Sequence, residues 1–341
     1  MTGLLTRSTI VVVTWRGKGH VSACLDAVAA QTRPHRLLVV DNASDDGTAE
    51  VLARHPSAPT VLRLPVNVGY AGALAAAEVD TEFTAWLNDD AEPSPEWLAQ
   101  LEGALDQHQD AAAAGSRMVG LDGSVISVGV GLTADGHGVD LVDAGPSEVF
   151  GFCGGAALIR TKALDAAGGV PARFFCYYED TDTAWRLRLA GHTIVSVPEA
   201  EVTHRHGASS QPGSRQFHLW NERNRLAMLI RCAPAAVAAR EVARFAAVTA
   251  MLPLRRLRGR TRPVDNPSPR RRIRRWSPVA WNRGPEAKAP WNFRTGLRLQ
   301  VLRELAVTVG SLLRERRTVT RLANVPRSVV WRRSRSTDSP S

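Results

Sequence analysis

Four short apolar runs, separated by helical patterns and closed by polar residues, constrain this chain more than anything else in its sequence. The first, Thr9-Ile10-Val11-Val12-Val13-Thr14, is β-branched throughout, as suits a strand buried on both faces. Val21, Leu25 and Val28 then recur at i, i+4 and i+7, the stripe of an amphipathic helix reaching Gln31. Arg36-Leu37-Leu38-Val39-Val40 is a second strand, and Val51 and Leu52 open a short helix. Thr60-Val61-Leu62-Arg63-Leu64 and Phe83-Thr84-Ala85-Trp86-Leu87 are a third and fourth. This alternation calls for an α/β fold, a mostly parallel sheet flanked by helices, with ligands beyond the C-terminal ends of the strands.

Those strand ends are polar. The second runs into Asp41-Asn42-Ala43-Ser44-Asp45-Asp46-Gly47-Thr48, where a nucleotide would bind. Asn67-Val68-Gly69-Tyr70-Ala71-Gly72 enters an alanine-rich helix to Glu78. Its glycines either let backbone amides approach a ligand or let the helix pack closely. The fourth strand ends in Asn88-Asp89-Asp90, a carboxylate pair suited to a hard divalent cation carrying diphosphate oxygens. The same acids also suit a cap for a helix starting near Ser94-Pro95-Glu96-Trp97. From Ala112 to Val149 the glycine-rich text reads as short strands and long loops, and Phe150 to Ile159 as a strand entered through Gly154-Gly155.

Next come three carboxylates within four residues, Glu179, Asp180 and Asp182, after the aromatic run Phe174-Phe175-Cys176-Tyr177-Tyr178 and ahead of a helical segment stopping at Gly191. Such a cluster either holds a general base against a substrate hydroxyl or complements a helix N-terminus. Like-charge repulsion from Glu179 and Asp182 would raise the pKa of Asp180, which helps a base. Thr193-Ile194-Val195-Ser196-Val197 is a further strand, followed by Pro198, Val202, His204 and His206.

Charge divides the 341 residues. Residues 1–230 hold 17 Lys and Arg against 27 Asp and Glu, and residues 231–341 hold 26 against 6, so a formal −10 is followed by +20. The basic third therefore meets something anionic, a membrane surface or nucleic acid. Residues 261–295 read as a Pro- and Arg-rich linker, and the chain after Trp331 as a disordered tail. Between them Leu302, Leu305, Val309, Leu312 and Leu313 mark one face of a basic amphipathic helix, either docked on a membrane with Trp276, Trp281 and Trp291 nearby or packed on the rest of the protein. No apolar run is long enough to span a bilayer and no signal-peptide pattern opens the chain. Four scattered cysteines form neither a metal nor a disulfide pattern, which fits a reducing cytoplasm.

Taken in order, the motifs over residues 8–230 resemble family-2 glycosyltransferases of the GT-A fold, most nearly bacterial rhamnosyl- and galactofuranosyltransferases of cell-envelope glycan synthesis. The carrying residues are Val39 to Thr48, Asn67 to Gly72, Leu87-Asn88-Asp89-Asp90, Gly154-Gly155-Ala156, Tyr178 to Asp182, Val202-Thr203-His204 with Gly207 to Ser210, and Asn221-Glu222-Arg223-Asn224. The resemblance implies a catalytic domain over residues 1–230 and a basic helical extension over 231–330. It implies that Thr14, Asp41, Asn42, Asn67, Gly69 and Asp89 serve the donor nucleotide. Asp90, with His204 nearby, would bind Mg²⁺ or Mn²⁺ on the diphosphate, although Asn88 stands where many members have Asp. Asp180 matches the general base of inverting members, and Gly154, Gly155, Glu179 and Asp182 would shape the acceptor-side loop. The expectation is a metal-dependent inverting hexosyltransferase, cytoplasmic and peripheral on the membrane, that moves a sugar such as rhamnose from a nucleotide-diphosphate donor to a lipid-linked or polysaccharide acceptor. The competing readings are a non-catalytic sugar-nucleotide binder and a nucleic-acid-binding protein working through the basic arm.

Overall fold

The structure is a computed structural model that describes residues 6–143, 147–205, 214–257 and 294–336. The chain opens with β1 (Ser8–Thr14), α1 (Val21–Ala29), β2 (His35–Asp41), α2 (Thr48–Arg54), β3 (Thr60–Arg63), α3 (Gly69–Ala76) and β4 (Phe83–Asn88). It continues through β5 (Ala91–Pro93), α4 (Trp97–Gln107), β6 (Ala111–Val119), β7 (Val125–Ser127), β8 (Val130–Leu132), β9 (Gly138–Asp140), β10 (Ala156–Arg160) and α5 (Thr161–Ala166). A 3₁₀ turn (Ala172–Phe174) leads to α6 (Glu179–Leu189), β11 (Thr193–His204), α7 (Arg215–Cys232), α8 (Ala235–Leu257), α9 (Thr295–Leu322) and α10 (Arg327–Ser336).

The main sheet runs β3-β2-β1-β4-β10-β6-β11-β5, with β7 added on β6. β1 lies parallel to both β2 and β4 and is buried along its whole length, as its unbroken β-branched text requires. β10 is antiparallel to β4 and β6. Its reversed direction brings its entry, Gly154-Gly155, to the C-terminal end of β4, where the Asn88 amide donates to the Gly155 carbonyl at 2.9 Å.

Two elements depart from the sequence reading. β6 is a nine-residue central strand built on Ala111 to Ala114, where short strands and loops were expected. Small residues suit it because Phe152 crosses its face: a Cβ on Gly115 would lie 3.1 Å from the Phe152 Cβ. β11 does not stop at Val197. It shifts register on β6 between Val197 and Glu201, which accommodates Pro198, and continues to His204 paired with Ala91 of β5. Because β5 stands between Asp89-Asp90 and α4, these acids do not cap that helix.

One face of the sheet is covered by α1 and α4 through Leu25, Trp97, Leu101 and Leu105, and the other carries Trp86, Phe152, Ile159 and Leu187. A further apolar layer joins Trp185 of α6 to Leu226, Leu229, Val301, Leu305 and Trp331 of the later helices. The chain just after Trp331, expected to be disordered, is helical: α10 runs to Ser336, and Trp331 stacks on Trp185 with centroids 5.7 Å apart. Residues 337–341 lie outside the described residues, as do most of the expected linker, with Trp276, Trp281 and Trp291, and also His206 and Gly207 to Ser210. The apolar face expected on α9 divides. Leu305 and Leu312 turn inward with Leu297, Val301 and Val319, whereas Val309 and Leu313 remain exposed.

Candidate active site

A cleft of about 410 Å³ lies at the C-terminal ends of β2 and β4 and collects three groups of residues. At one end two asparagines stitch β2 to α3. Asn42 accepts from the Val68 amide at 2.9 Å and donates to Asn67 at 3.0 Å, and Asn67 accepts from the Gly69 amide at 2.8 Å. Asn42, Asn67, Gly69 and Asp89 line the cleft. Thr14 and Asp41, expected beside them, lie fully buried behind the wall. The Asp41 carboxylate accepts from the Ser44 amide at 2.9 Å and faces Arg63 at 3.3 Å, so it shapes the turn rather than the cleft surface.

The second group closes the end of β4. His204, carried there by the long β11, sets Nε2 2.9 Å from Asp90 Oδ1 and 3.2 Å from the Asn88 amide nitrogen. Asp89 turns aside to His20 at 3.1 Å. Burial raises the Asp90 pKa, but His204 and His20 outweigh it and leave the group below its ordinary value; the bond to Asp89 raises His20. Two ligands of one octahedral cation with bonds of about 2.1 Å stand about 3 Å apart, which the Asp90–His204 spacing matches. Among the described residues no set of three His, Cys, Asp or Glu gathers around one point. The site fits a cation held by two protein groups, its other positions filled by phosphate oxygens and water.

The third group is the start of α6, reached through a strained loop. Phe175 sits at φ 66° and ψ −64°, a γ-turn in which the Cys176 amide donates to the Phe174 carbonyl at 2.8 Å. Tyr177 and Tyr178 follow with φ of 72° and 71°, unusual for bulky side chains. Asn224 of α7 clamps this loop, its amide nitrogen within 2.8–2.9 Å of the carbonyls of Phe174, Cys176 and Tyr177. The Phe175 carbonyl accepts from the Ala71 amide of α3 at 3.0 Å. Gly69 is required at this crossing, with φ 77° and a Cβ position 2.3 Å from the Phe175 oxygen.

Asp180 accepts from the Gly154 amide at 2.9 Å and from the Thr181 hydroxyl at 2.9 Å. Burial raises its pKa and these bonds restrain the rise. Like-charge repulsion acts instead on Glu179, which burial and then Asp180 push up to about 8. Asp182, expected in the acceptor-side loop, is absent from it. Fully buried, it faces away and joins Arg186 at 2.7 Å and Arg231 of α7 at 2.6 Å. Gly154, Gly155 and Glu179 do line the cleft.

Several lining residues escaped the sequence reading. Trp15 follows Thr14 at a strand end, and Trp220 immediately precedes the Asn221-Glu222-Arg223-Asn224 motif, so both lay beside noted signals. Trp220 packs on Phe175 at 4.8 Å and, with Tyr177, forms an aromatic rim. Asp140 of β9, pushed up to about 6 by burial and held back by Ser127, had no signal around it.

A parallel nucleotide-type half-sheet, continued by an antiparallel strand and bearing a carboxylate–histidine pair at its C-terminal edge, is the GT-A fold of glycosyltransferases. Residues 9–168 match the model of glycosyl transferase family 2. A relative in Mycobacterium tuberculosis (strain CDC 1551 / Oshkosh), the N-acetylglucosaminyl-diphospho-decaprenol L-rhamnosyltransferase, is 27% identical over 241 residues, 60% of this chain and 78% of its own length. The mannosyltransferase PcManGT from Pyrobaculum calidifontis, solved with GDP-Man and Mn²⁺, superposes with a TM-score of 0.53 at 19% identity, covering 89% of this chain and 86% of its own. GalNAc-T7 with UDP, GalNAc and Mn²⁺ gives 0.54 at 14% identity over 69% of this chain and 49% of that one.

Proposed function

We propose that the chain is an inverting glycosyltransferase that moves a hexose, rhamnose or a near relative, from a nucleotide-diphosphate donor to a lipid-linked or polysaccharide acceptor in cell-envelope glycan synthesis. Residues 1–230 would catalyse and residues 231–330 would form an extension working at the inner membrane face. The observation that carries this reading is Asp180, fixed by the Gly154 amide in the same cleft as Asp90 and His204.

Asp180 takes the proton of the acceptor hydroxyl as that oxygen attacks the anomeric carbon and the nucleoside diphosphate leaves from the opposite face. Burial raises its affinity for that proton, while the bonds from Gly154 and Thr181 fix its direction. Asn42, Asn67 and Gly69 hold the donor end, and the aromatic rim shields the reacting centre from water. Mg²⁺ or Mn²⁺ held by Asp90 and His204 would supply charge neutralisation at the departing diphosphate.

Asp180→Asn tests the reading. Thermal shifts with a panel of uridine and deoxythymidine diphosphate sugars should be those of the unaltered protein, while turnover falls by roughly 10²–10⁴. Retained turnover removes Asp180 from the role. Asn88, an amide where a carboxylate is frequent, favours the alternative of a sugar-nucleotide binder without catalysis. Absence of donor consumption with Mn²⁺ present, despite a thermal shift, would establish it.

A further inference from the structure

We infer that Glu179 reads the acceptor: its carboxyl hydrogen-bonds the hydroxyl beside the one that Asp180 deprotonates, so the acceptor class is a sugar with a vicinal diol. The inference rests on the transferase reading above and adds a specificity determinant to it. Glu179 is 6% exposed, lines the cleft, and leaves Oε2 without a hydrogen-bond partner among the described residues. An unsatisfied buried carboxyl oxygen is costly to the fold, and a ligand hydroxyl would offset that cost. Stabilisation of the α6 N-terminus does not explain it, since that role needs an ionised group and this carboxyl retains its proton to about pH 8.

The groups around Glu179 fix its partner. Asp180 follows it on α6, Tyr70 faces it from α3, and Cys176 and Cys153 face it from the preceding loop and the approach to β10. Burial raises the pKa of the tyrosine and both thiols, so they stay neutral and Asp180 is the neighbour carrying charge. A neutral carboxyl beside a carboxylate offers one O–H donor next to one strong acceptor. Adjacent hydroxyls on a sugar ring supply the complementary pair: one loses its proton to Asp180, and its neighbour accepts from Glu179.

The test uses the full chain, a donor sugar nucleotide that it consumes, and an N-acetylglucosaminyl diphospholipid with its monodeoxy analogues as acceptors. For the unaltered protein, kcat/KM should fall roughly 10- to 100-fold on one analogue that retains the attacked hydroxyl. Glu179→Ala should slow the parent acceptor to that level and erase the discrimination, with the donor KM unchanged. Glu179→Gln, which keeps a donor and the side-chain shape, should preserve the discrimination, and it should lose the decline in kcat/KM above about pH 8 shown by the unaltered protein. Thermal melts establish that each variant folds; should the alanine variant fail to fold, the glutamine pH profile decides. Undiminished discrimination in Glu179→Ala, a loss confined to the donor KM, or an unaltered alkaline decline in Glu179→Gln overturns the assignment alone. No turnover by the unaltered protein overturns the transferase reading, and the inference with it.

Discussion

Asp182 commits its carboxylate to two arginines, Arg186 one turn along its own helix and Arg231 on α7, while Asp180, two residues earlier, opens onto the cleft. A helix turns about 200° over two residues, so acids at i and i+2 cannot share a face. That rule was available from the spacing alone and keeps Asp180 and Asp182 from sharing one role, without saying which of them is the base. Glu179 was not legible in this way, because its neutrality comes from burial under chain segments far away in sequence. The raised pKa has a stability consequence. Between the ordinary glutamate value and about 8 the unfolded chain has released this proton and the folded one retains it, so Glu179 lowers stability progressively as pH rises through that window. Glu179→Gln removes the dependence. Its melting temperature should gain on that of the unaltered protein from pH 5 to pH 8, and an equal difference at both pH values would refute the buried neutral carboxyl.

Among the elements, the loop before α6 stores backbone strain and α7 holds it. Three residues with positive φ, each costing about 1–3 kcal/mol, persist where Asn224 draws the carbonyls of Phe174, Cys176 and Tyr177 together. Asn224→Leu should lower stability to urea by about 1–3 kcal/mol and reduce turnover more than tenfold, with donor affinity unchanged. Unchanged turnover in a destabilised variant would make the clamp purely structural. The elements that sequence revealed are those whose text is periodic or β-branched, such as β1, β2 and α1. β6 was obscured by its alanines, which have low strand propensity, and by Gly115, whose small size suits the close approach of Phe152. β11 was cut short at Pro198 because the register shift that tolerates a proline leaves no mark in the sequence.

At the scale of the whole molecule, the acidic first 230 residues and basic remainder are joined by a common apolar layer between α7 and α9. That joint was illegible because α7 is buried on every side from Asn224 to Cys232 and shows no stripe. The outward side of α9 carries exposed Leu299, Val307 and Leu313 among Arg303, Arg314, Arg317 and Arg321, and no helix among the described residues is long and apolar enough to cross a bilayer. An anionic surface would gain about 1 kcal/mol per arginine near it. Co-sedimentation with vesicles rich in phosphatidylglycerol should therefore exceed that with neutral vesicles, weaken with salt, and fall when Arg314, Arg317 and Arg321 become glutamate. Binding indifferent to lipid charge would remove the membrane from this face.

The bond from the Ala71 amide to the Phe175 carbonyl makes the cleft's two halves one heritable unit. A graft that replaces the Asn67 to Leu74 segment to change the nucleotide would land on a foreign γ-turn and displace Asp180. Productive chimeras of this scaffold must transfer that segment, residues 172–180 and Asn224 together.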